Sequence, residues 1–373
     1  MDEKIVAVLK QHSYSVPRIR GKIEELFDLV GINEGLKDRK ILIKPNCTGS
    51  FSPKEGRTTH PAVMEALILH LLSLNSEIAI GESSTVGTDT FSAYEKTGIF
   101  KVAQKLNVRI VDFKKSNYIE LENGSGIVQK KISFPEEALS ADCLISLAKL
   151  KTNYVTTISC AMKNLKGLLK DGDKKNSHHV GLSESVADIC NALKRKIKVI
   201  ALVDGILGSE LYEPKKRGLL IASNDLAACD IVCARAMGID PGDIKFLNLA
   251  KDPKAGNINV LGDGLGDPAV FSTCDPGLDH MAEKFKIKII DGNPCTSCTG
   301  SLYHILNKLA KTGAEYPDDL EIVAGCCKNR RIAKNAILFG KCAAEADGIF
   351  KVKGCPPVTS DFMKVLKRRF GKK

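Results

Sequence analysis

The sequence has no tryptophan, few aromatics and no apolar run long enough to cross a membrane. Aromatic residues make up 5% of the 373 positions, and no stretch interleaves them with lysine and arginine as a base-stacking surface would. The net charge of +11 therefore does not argue for a nucleic-acid partner, since six basic residues crowd into the closing segment KVLKRRFGKK alone. That segment reads as a solvated basic helix end. The run MEALILHLLSL is about half of the roughly 20 residues a membrane span needs. The opening MDEKIVAVLK lacks the charged n-region and apolar h-region of a signal peptide. The expected location is the cytoplasm, away from any membrane.

Phosphate-loop signatures are missing as well. No Walker-type loop occurs, and GDGLGD at 262–267 imitates a dinucleotide fingerprint only superficially, because Pro268 follows and no helix opens.

What the chain does have is cysteine, 13 in all. Cytosolic thiols stay reduced, so a disulfide framework is not expected and burial, catalysis or metal remain. Cys143, Cys160, Cys190, Cys229 and Cys233 sit in apolar or small-residue segments, where cysteine acts as a small hydrophobe. Six of the other eight gather between residues 295 and 355, in the last quarter of the chain.

Hydrophobic periodicity argues for an α/β protein, with short β-branched runs alternating with amphipathic segments. KIVAVLK, KILIKPN, EIAIGES, VRIVDF, CLISLAKL, KVIALVDG and GLLIAS read as strands. HPAVMEALILHLLSL, AYEKTGIFKVAQKLN and LSESVADICNALKRK read as helices. The expectation is a larger mixed or parallel α/β domain over 1–275, then a small flavodoxin-like parallel α/β layer over 284–373 that carries the cysteines. The Gly-, Asp- and Pro-rich stretch NVLGDGLGDPAVFSTCDPG reads as the connector, and a short helix is expected near NRRIAKN, 329–335.

In the smaller layer, Cys295 and Cys298 follow the strand KIKIIDG, Cys342 follows AILFG and Cys355 follows GIFKVKG. The carboxyl ends of parallel strands share one edge, so these four converge. Four thiolates fit either tetrahedral zinc or an iron–sulfur cubane. Paired short knuckles are usual for structural zinc, whereas here one pair is joined by two single cysteines in separate loops, which suits a bulkier cluster. Cys326 and Cys327, in VAGCCKN, follow another strand to the same edge. They read as bystanders or as additional metal ligands.

The order CTSCTGS, LFGKCAAEADGIF, VKGCPP resembles the proximal-cluster region of the small subunit of nickel–iron hydrogenases and, more distantly, the related subunit of respiratory complex I. The resemblance covers about seventy residues. It implies one 4Fe–4S cluster held by Cys295, Cys298, Cys342 and Cys355, and a redox partner protein. The first 270 residues are similar to the family called domain of unknown function 362, carried by IKPNCTGSFSPKEGRTTHPAVMEAL, LAKLKTNYVTTISCAMKNLKGLL and GLLIASNDLAACDIVCARAMGI. That family is often found with iron–sulfur modules, and the resemblance brings no firm reaction.

The larger domain offers its own candidates at strand ends and helix starts: Lys44, Asn46, His60, Glu82, Lys163, Asn164, Lys166 and Asp204. Lys163 and Lys166, three apart, share a helix face. Ammonium groups beside amide donors suit a small anionic ligand, a carboxylate or a phosphate. His178 and His179 are expected in an exposed lysine-rich loop, and Asp225 and Asp230 at the start of a helix. The function expected is electron transfer through the cluster to or from such a ligand or a partner protein, as in an iron–sulfur oxidoreductase. Two alternatives stay open: a non-redox enzyme on a carboxylate or phosphate with a structural cluster, and a zinc-binding scaffold protein.

Overall fold

Successive strand residues point to opposite faces of a sheet, and here both faces are apolar. In β1 (Lys4–Lys10), Val6 and Val8 enter one core while Ala7 and Leu9 enter another. The computed structural model describes residues 4–250, 257–266, 270–273, 277–312, 320–327, 332–346 and 348–370. The chain divides into two compact units, Met1–Lys174 with Leu182–Thr273, and Lys175–Gly181 with Cys274–Lys373. It is a mixed α/β fold with a separate small parallel sheet towards the C-terminus.

The first unit continues with β2 (Lys40–Pro45), β3 (Glu77–Glu82), β4 (Arg109–Asp112), β5 (Tyr118–Glu122), β6 (Lys131–Pro135), β7 (Cys143–Asn153), β8 (Thr157–Ile158), β9 (Lys198–Glu210), β10 (Glu213–Ser223) and β11 (Ile258–Gly262). The large sheet runs β11-β1-β10-β9-β7-β2-β3-β4, with β8 attached to β7. β9, β7, β2, β3 and β4 are mutually parallel, whereas β10 runs antiparallel to both β1 and β9. From β2 the chain moves outward to β3 and β4, then returns to the other side of β2 as β7. That reversal opens a crevice beyond the carboxyl ends of β2 and β7, where open α/β sheets bind ligands.

Helices cover both faces because each presents an apolar stripe. In Val16–Val30 the residues Ile19, Ile23, Leu26, Phe27 and Val30 are buried at helical spacing. Gly31 ends that helix at φ 71°, a left-handed position glycine takes without a Cβ penalty. The cysteines at 143, 160, 190, 229 and 233 are all buried.

Three details differ from the sequence reading. The supposed connector contains a strand, β11, which pairs parallel with β1 through Val6↔Val260; the rest of GDGLGD reaches Asp267 and Pro268, which lie outside the described residues. β5 and β6 form an antiparallel hairpin that the turn signals did not disclose. Of the helix expected near 329–335, residues 328–331 lie outside the described residues and 332–336 form a turn.

In the second unit, β12 (Lys288–Gly292), β13 (Glu321–Gly325), β14 (Ile337–Phe339) and β15 (Phe350–Val352) are parallel and in sequential order. Helices Thr296–Lys311 and Thr359–Phe370 bring Leu302, Ile305, Leu306, Phe362 and Leu366 into its interior. Phe362 meets Phe339 edge to face at 6.0 Å between centroids, a favoured aromatic geometry. No described helix is long and apolar enough to cross a membrane.

Candidate functional site

Two fully buried ion pairs stand at the carboxyl ends of the central strands. Lys44 on β2 donates to Glu82 on β3 at 2.7 Å, and both side chains are about 1–2% exposed. Glu82 also accepts the N–H groups of Cys47 at 3.1 Å and Ser83 at 2.9 Å. Lys44 further donates to the Pro45 carbonyl and to Asn164 Oδ1, and Asn46 Nδ2 reaches the same Asn164 oxygen at 3.1 Å. Burial pushes the Lys44 ammonium below the usual lysine range and the Glu82 carboxyl above the usual carboxylate range, with their mutual attraction opposing both. Gly167 fits against this pair because it lacks a side chain: a Cβ there would collide with Glu82 Oε1 and come within 2.5 Å of Lys44 Cε.

The second pair is Lys149 on β7 with Asp204 on β9, at 2.7 Å and fully buried. Asp204 also accepts the Tyr14 hydroxyl at 3.2 Å and the N–H groups of His60 and Ile206. Tyr14 stacks on His60 with 3.5 Å between ring centroids, and burial, with Asp204 beside it, holds its hydroxyl protonated. His60 Nδ1 accepts the Ala62 N–H at the start of helix Pro61–Ser73. Burial lowers His60 to about 4, so it is a neutral cap at physiological pH.

A third group is more open. Past a register shift between Lys149 and Lys151, β7 turns the half-buried Lys151 towards Asn46 Oδ1 at 2.7 Å and the Arg57 carbonyl at 3.1 Å. Lys163, on the helical turn Ala161–Asn164, donates to the Thr156 hydroxyl at 2.8 Å. Lys166 follows on the next turn, Leu165–Leu168. Burial, and then the Arg57 guanidinium, lower Lys151 to about 7; burial, and then Lys174, lower Lys166 to about 7 as well. Burial and the neighbouring Lys166 and Lys151 hold Lys163 well below the usual lysine range. Around them the backbone is strained: Thr157, Leu211 and Tyr212 carry φ of 63°, 48° and 80°. Such positions cost on the order of 1–3 kcal/mol each and gather at ligand clamps.

Of the eight candidates, Lys44, Asn46, Glu82 and Asn164 share one hydrogen-bonded network, His60 and Asp204 belong to the second, and Lys163 and Lys166 to the third. Tyr14, Lys149, Lys151 and Lys174 escaped the sequence reading. The signal was there in CLISLAKLKTN, where two lysines interrupt a run otherwise fit for a strand buried on both faces. Such lysines need a buried partner or a ligand. Lys174, buried, reaches the Ser83 and Ser84 carbonyls at 2.7 and 2.8 Å.

Depressed lysines leave a pH signature. Between pH 7 and about 8.5, below ordinary thiol ionisation, Lys151 and Lys166 hold fewer protons when folded than at their free value of 10.5. Stability therefore rises with pH across that window, and the penalty is fully present below pH 7. Urea midpoints measured at pH 7.0, 7.8 and 8.5 should climb, and more gently in Lys151→Met; a wild-type midpoint that falls contradicts this.

In the second unit, each parallel strand end carries a cysteine. Cys295, Cys298, Cys326, Cys342 and Cys355 line one cleft of about 340 Å³, together with His178, His179 and Lys341. Cys327 is buried next to Gly292, where a Cβ would lie 2.5 Å from its sulfur. Cys295 occupies the N-cap position of helix Thr296–Lys311, and a hydrogen bond from Cys298 followed by the Cys298 and Ser297 N–H groups lowers it to about 5, against opposing burial. The two histidines lie on helix Asp171–Val180 rather than in a loop, and His178 Nδ1 meets Thr296 Oγ1 at 2.8 Å.

Elsewhere, Asp225 caps its helix by accepting the Ala228 N–H at 2.8 Å. Asp230, expected at a helix start, instead lies inside Leu226–Ala236 and accepts the N–H groups of Ala161 and Met162, capping that turn from outside. Its carboxylate and the sulfurs of Cys160 and Cys233 lie within 4.8 Å of one another, all buried.

The family model described as Domain of unknown function (DUF362) matches residues 41–235, more than half of the chain. The chain belongs to the DUF362 family. The matched span of this DUF362 protein runs from β2 to helix Leu226–Ala236 and so includes Lys44, Glu82, Lys149, Lys151, Lys163, Lys166 and Asp204, but none of the C-terminal cysteines. A thylakoid-associated protein of Synechocystis sp. (strain ATCC 27184 / PCC 6803 / Kazusa) is 27% identical over 252 residues, which is 65% of this chain and 77% of that protein. The structure of the lactate racemase apoprotein from Thermoanaerobacterium thermosaccharolyticum covers 87% of this chain and 69% of its own at 14% identity, with a TM-score of 0.41.

Proposed function

We propose that this DUF362 protein is an iron–sulfur redox protein, in which Cys295, Cys298, Cys342 and Cys355 hold one 4Fe–4S cluster. The cluster exchanges single electrons with a partner protein or with a small anionic substrate, as in an iron–sulfur oxidoreductase. One observation carries the reading: four thiols from three strand-end loops line one cleft, yet no three of their sulfurs lie within 4.8 Å of one another. Four thiolates on zinc at about 2.3 Å must close to about 4 Å apart. A cubane spreads its ligands over four iron corners and takes the wider cradle. The likeness of CTSCTGS and KGCPP to the proximal-cluster region of nickel–iron hydrogenase small subunits supports the same donor set.

When bound, the cluster supplies one-electron transfer at a potential set by burial and hydrogen bonds to the sulfurs. The chain contributes the N–H groups at the start of helix Thr296–Lys311, which favour an anionic Cys295.

A second reading, a non-redox enzyme on a carboxylate or phosphate with a structural cluster, draws support from Lys151 and Lys166. Lysines held near 7 exchange protons readily at physiological pH.

Anaerobic determination of iron, sulfide and zinc tests the proposal. About four irons and four sulfides per chain are expected, with broad absorption near roughly 400 nm that bleaches on reduction. Stoichiometric zinc without iron overturns it, and a cluster indifferent to reductant favours the second reading.

A further inference from the structure

A buried ammonium usually lies beside a carboxylate, which offsets its desolvation; one without such a partner is suited to bind an anion. Among the described residues, neither Lys151 nor Lys163 has a carboxylate within ion-pair distance. Lys151 meets only the neutral oxygens of Asn46 and Arg57, and Lys163 only the Thr156 hydroxyl. Glu82, the carboxylate whose charge reaches Lys151, is already engaged by Lys44. An ammonium has three donors, so Lys151 keeps one unspent and Lys163 two.

More positive charge adjoins them. The Arg57 guanidinium lies between the rings of Phe51 at 3.7 Å and Tyr212 at 4.3 Å, and its buried Nε has no hydrogen-bond partner. Glu55, 3.8 Å away, and Glu213 are the acidic groups whose charge reaches it. Gathering Lys151 and Lys163 beside an arginine, with water partly excluded, is unfavourable without an anion, and a strained backbone at Thr157, Leu211 and Tyr212 flanks the same place.

We propose that Lys151 and Lys163, beside the Arg57 guanidinium, form the receptor for the oxyanion end of a small ligand, a carboxylate or a phosphate. This places the anionic ligand of the preceding reading, and it rests on that half of the reading alone, not on the cluster. Lys44–Glu82 and Lys149–Asp204 serve as the rigid floor, each charge already cancelled. Lys151 and Lys163 face the ligand. The charged and titratable neighbours are Arg57, Lys149, Cys160 and Glu82 for Lys151, and Lys166, Lys151 and Cys160 for Lys163. The anion therefore binds with proton uptake.

Calorimetric titration of the full-length chain with inorganic phosphate and, separately, malonate tests this, with iron measured in each sample. One of the two is expected to bind, more tightly at pH 6.5 than at 8.5. Charge-assisted hydrogen bonds to the ligand predict a loss of about ten- to a hundredfold in Lys151→Met and in Lys163→Met. The exposed Lys37→Met should bind as wild type, and Lys163→Arg should recover part of the loss. Preference for phosphate or malonate identifies the oxyanion. Binding unchanged in both methionine variants, or no binding of either probe by the wild type at about 50 mM, overturns the inference. Binding without iron would count against the cluster alone, and iron without binding against the receptor alone.

Discussion

Asp204→Ala is expected to lower stability by about 3–5 kcal/mol, the cost of leaving one partner of a buried ion pair uncompensated. Lys149 and Asp204 are both 0% exposed and 2.7 Å apart, so water cannot replace the lost carboxylate. Asp204 also anchors three donors from separate segments, the Tyr14 hydroxyl and the His60 and Ile206 N–H groups. The variant strands those donors as well as the lysine. Removing both charges tells the two contributions apart. Lys149→Met combined with Asp204→Leu should regain a large part of the loss, because burying two apolar side chains carries no desolvation penalty. Urea denaturation of the two variants measures this. A single variant within about 1 kcal/mol of wild type would mean the pair is not closed as described.

The second large effect concerns the cysteine cleft. Cys355→Ser or Cys342→Ser should reduce bound iron from about four per chain to nearly none, since a hydroxyl is a poor substitute for a thiolate on a soft metal site. Cys326→Ser, which changes a residue on the same cleft, should keep its iron. Anaerobic iron analysis with absorption spectra reads the outcome. Full retention of iron in Cys355→Ser would remove it from the donor set, and loss in Cys326→Ser would bring that residue in.

Much of this was legible from residue order. Short β-branched runs such as KIVAVLK and KILIKP became strands buried on both faces, as the lack of polar alternation implies for a sheet with helices on each side. Asp225 before an apolar helix announced its cap. The cysteines could be assigned to strand ends because each follows a β-branched run and a glycine turn. Less was legible where partners are distant. Nothing local distinguishes Lys149 from Lys151: both sit two residues apart in one strand, yet one is sealed against Asp204 and the other, past a register shift, faces Asn46. Likewise Asp230 looked like a helix-start residue and proved to cap a turn some seventy positions earlier in the chain.

The sequence by itself determined the α/β class, the strands and helices that build it, and the arrival of the cysteines and polar residues at strand ends, because periodicity and turn chemistry are local properties. Only the tertiary structure decided which charges are spent and which are available. Pairing depends on strand order and on the bulge in β7, which bring Lys44 to Glu82 and Lys149 to Asp204 while leaving Lys151 and Lys163 facing neutral oxygens.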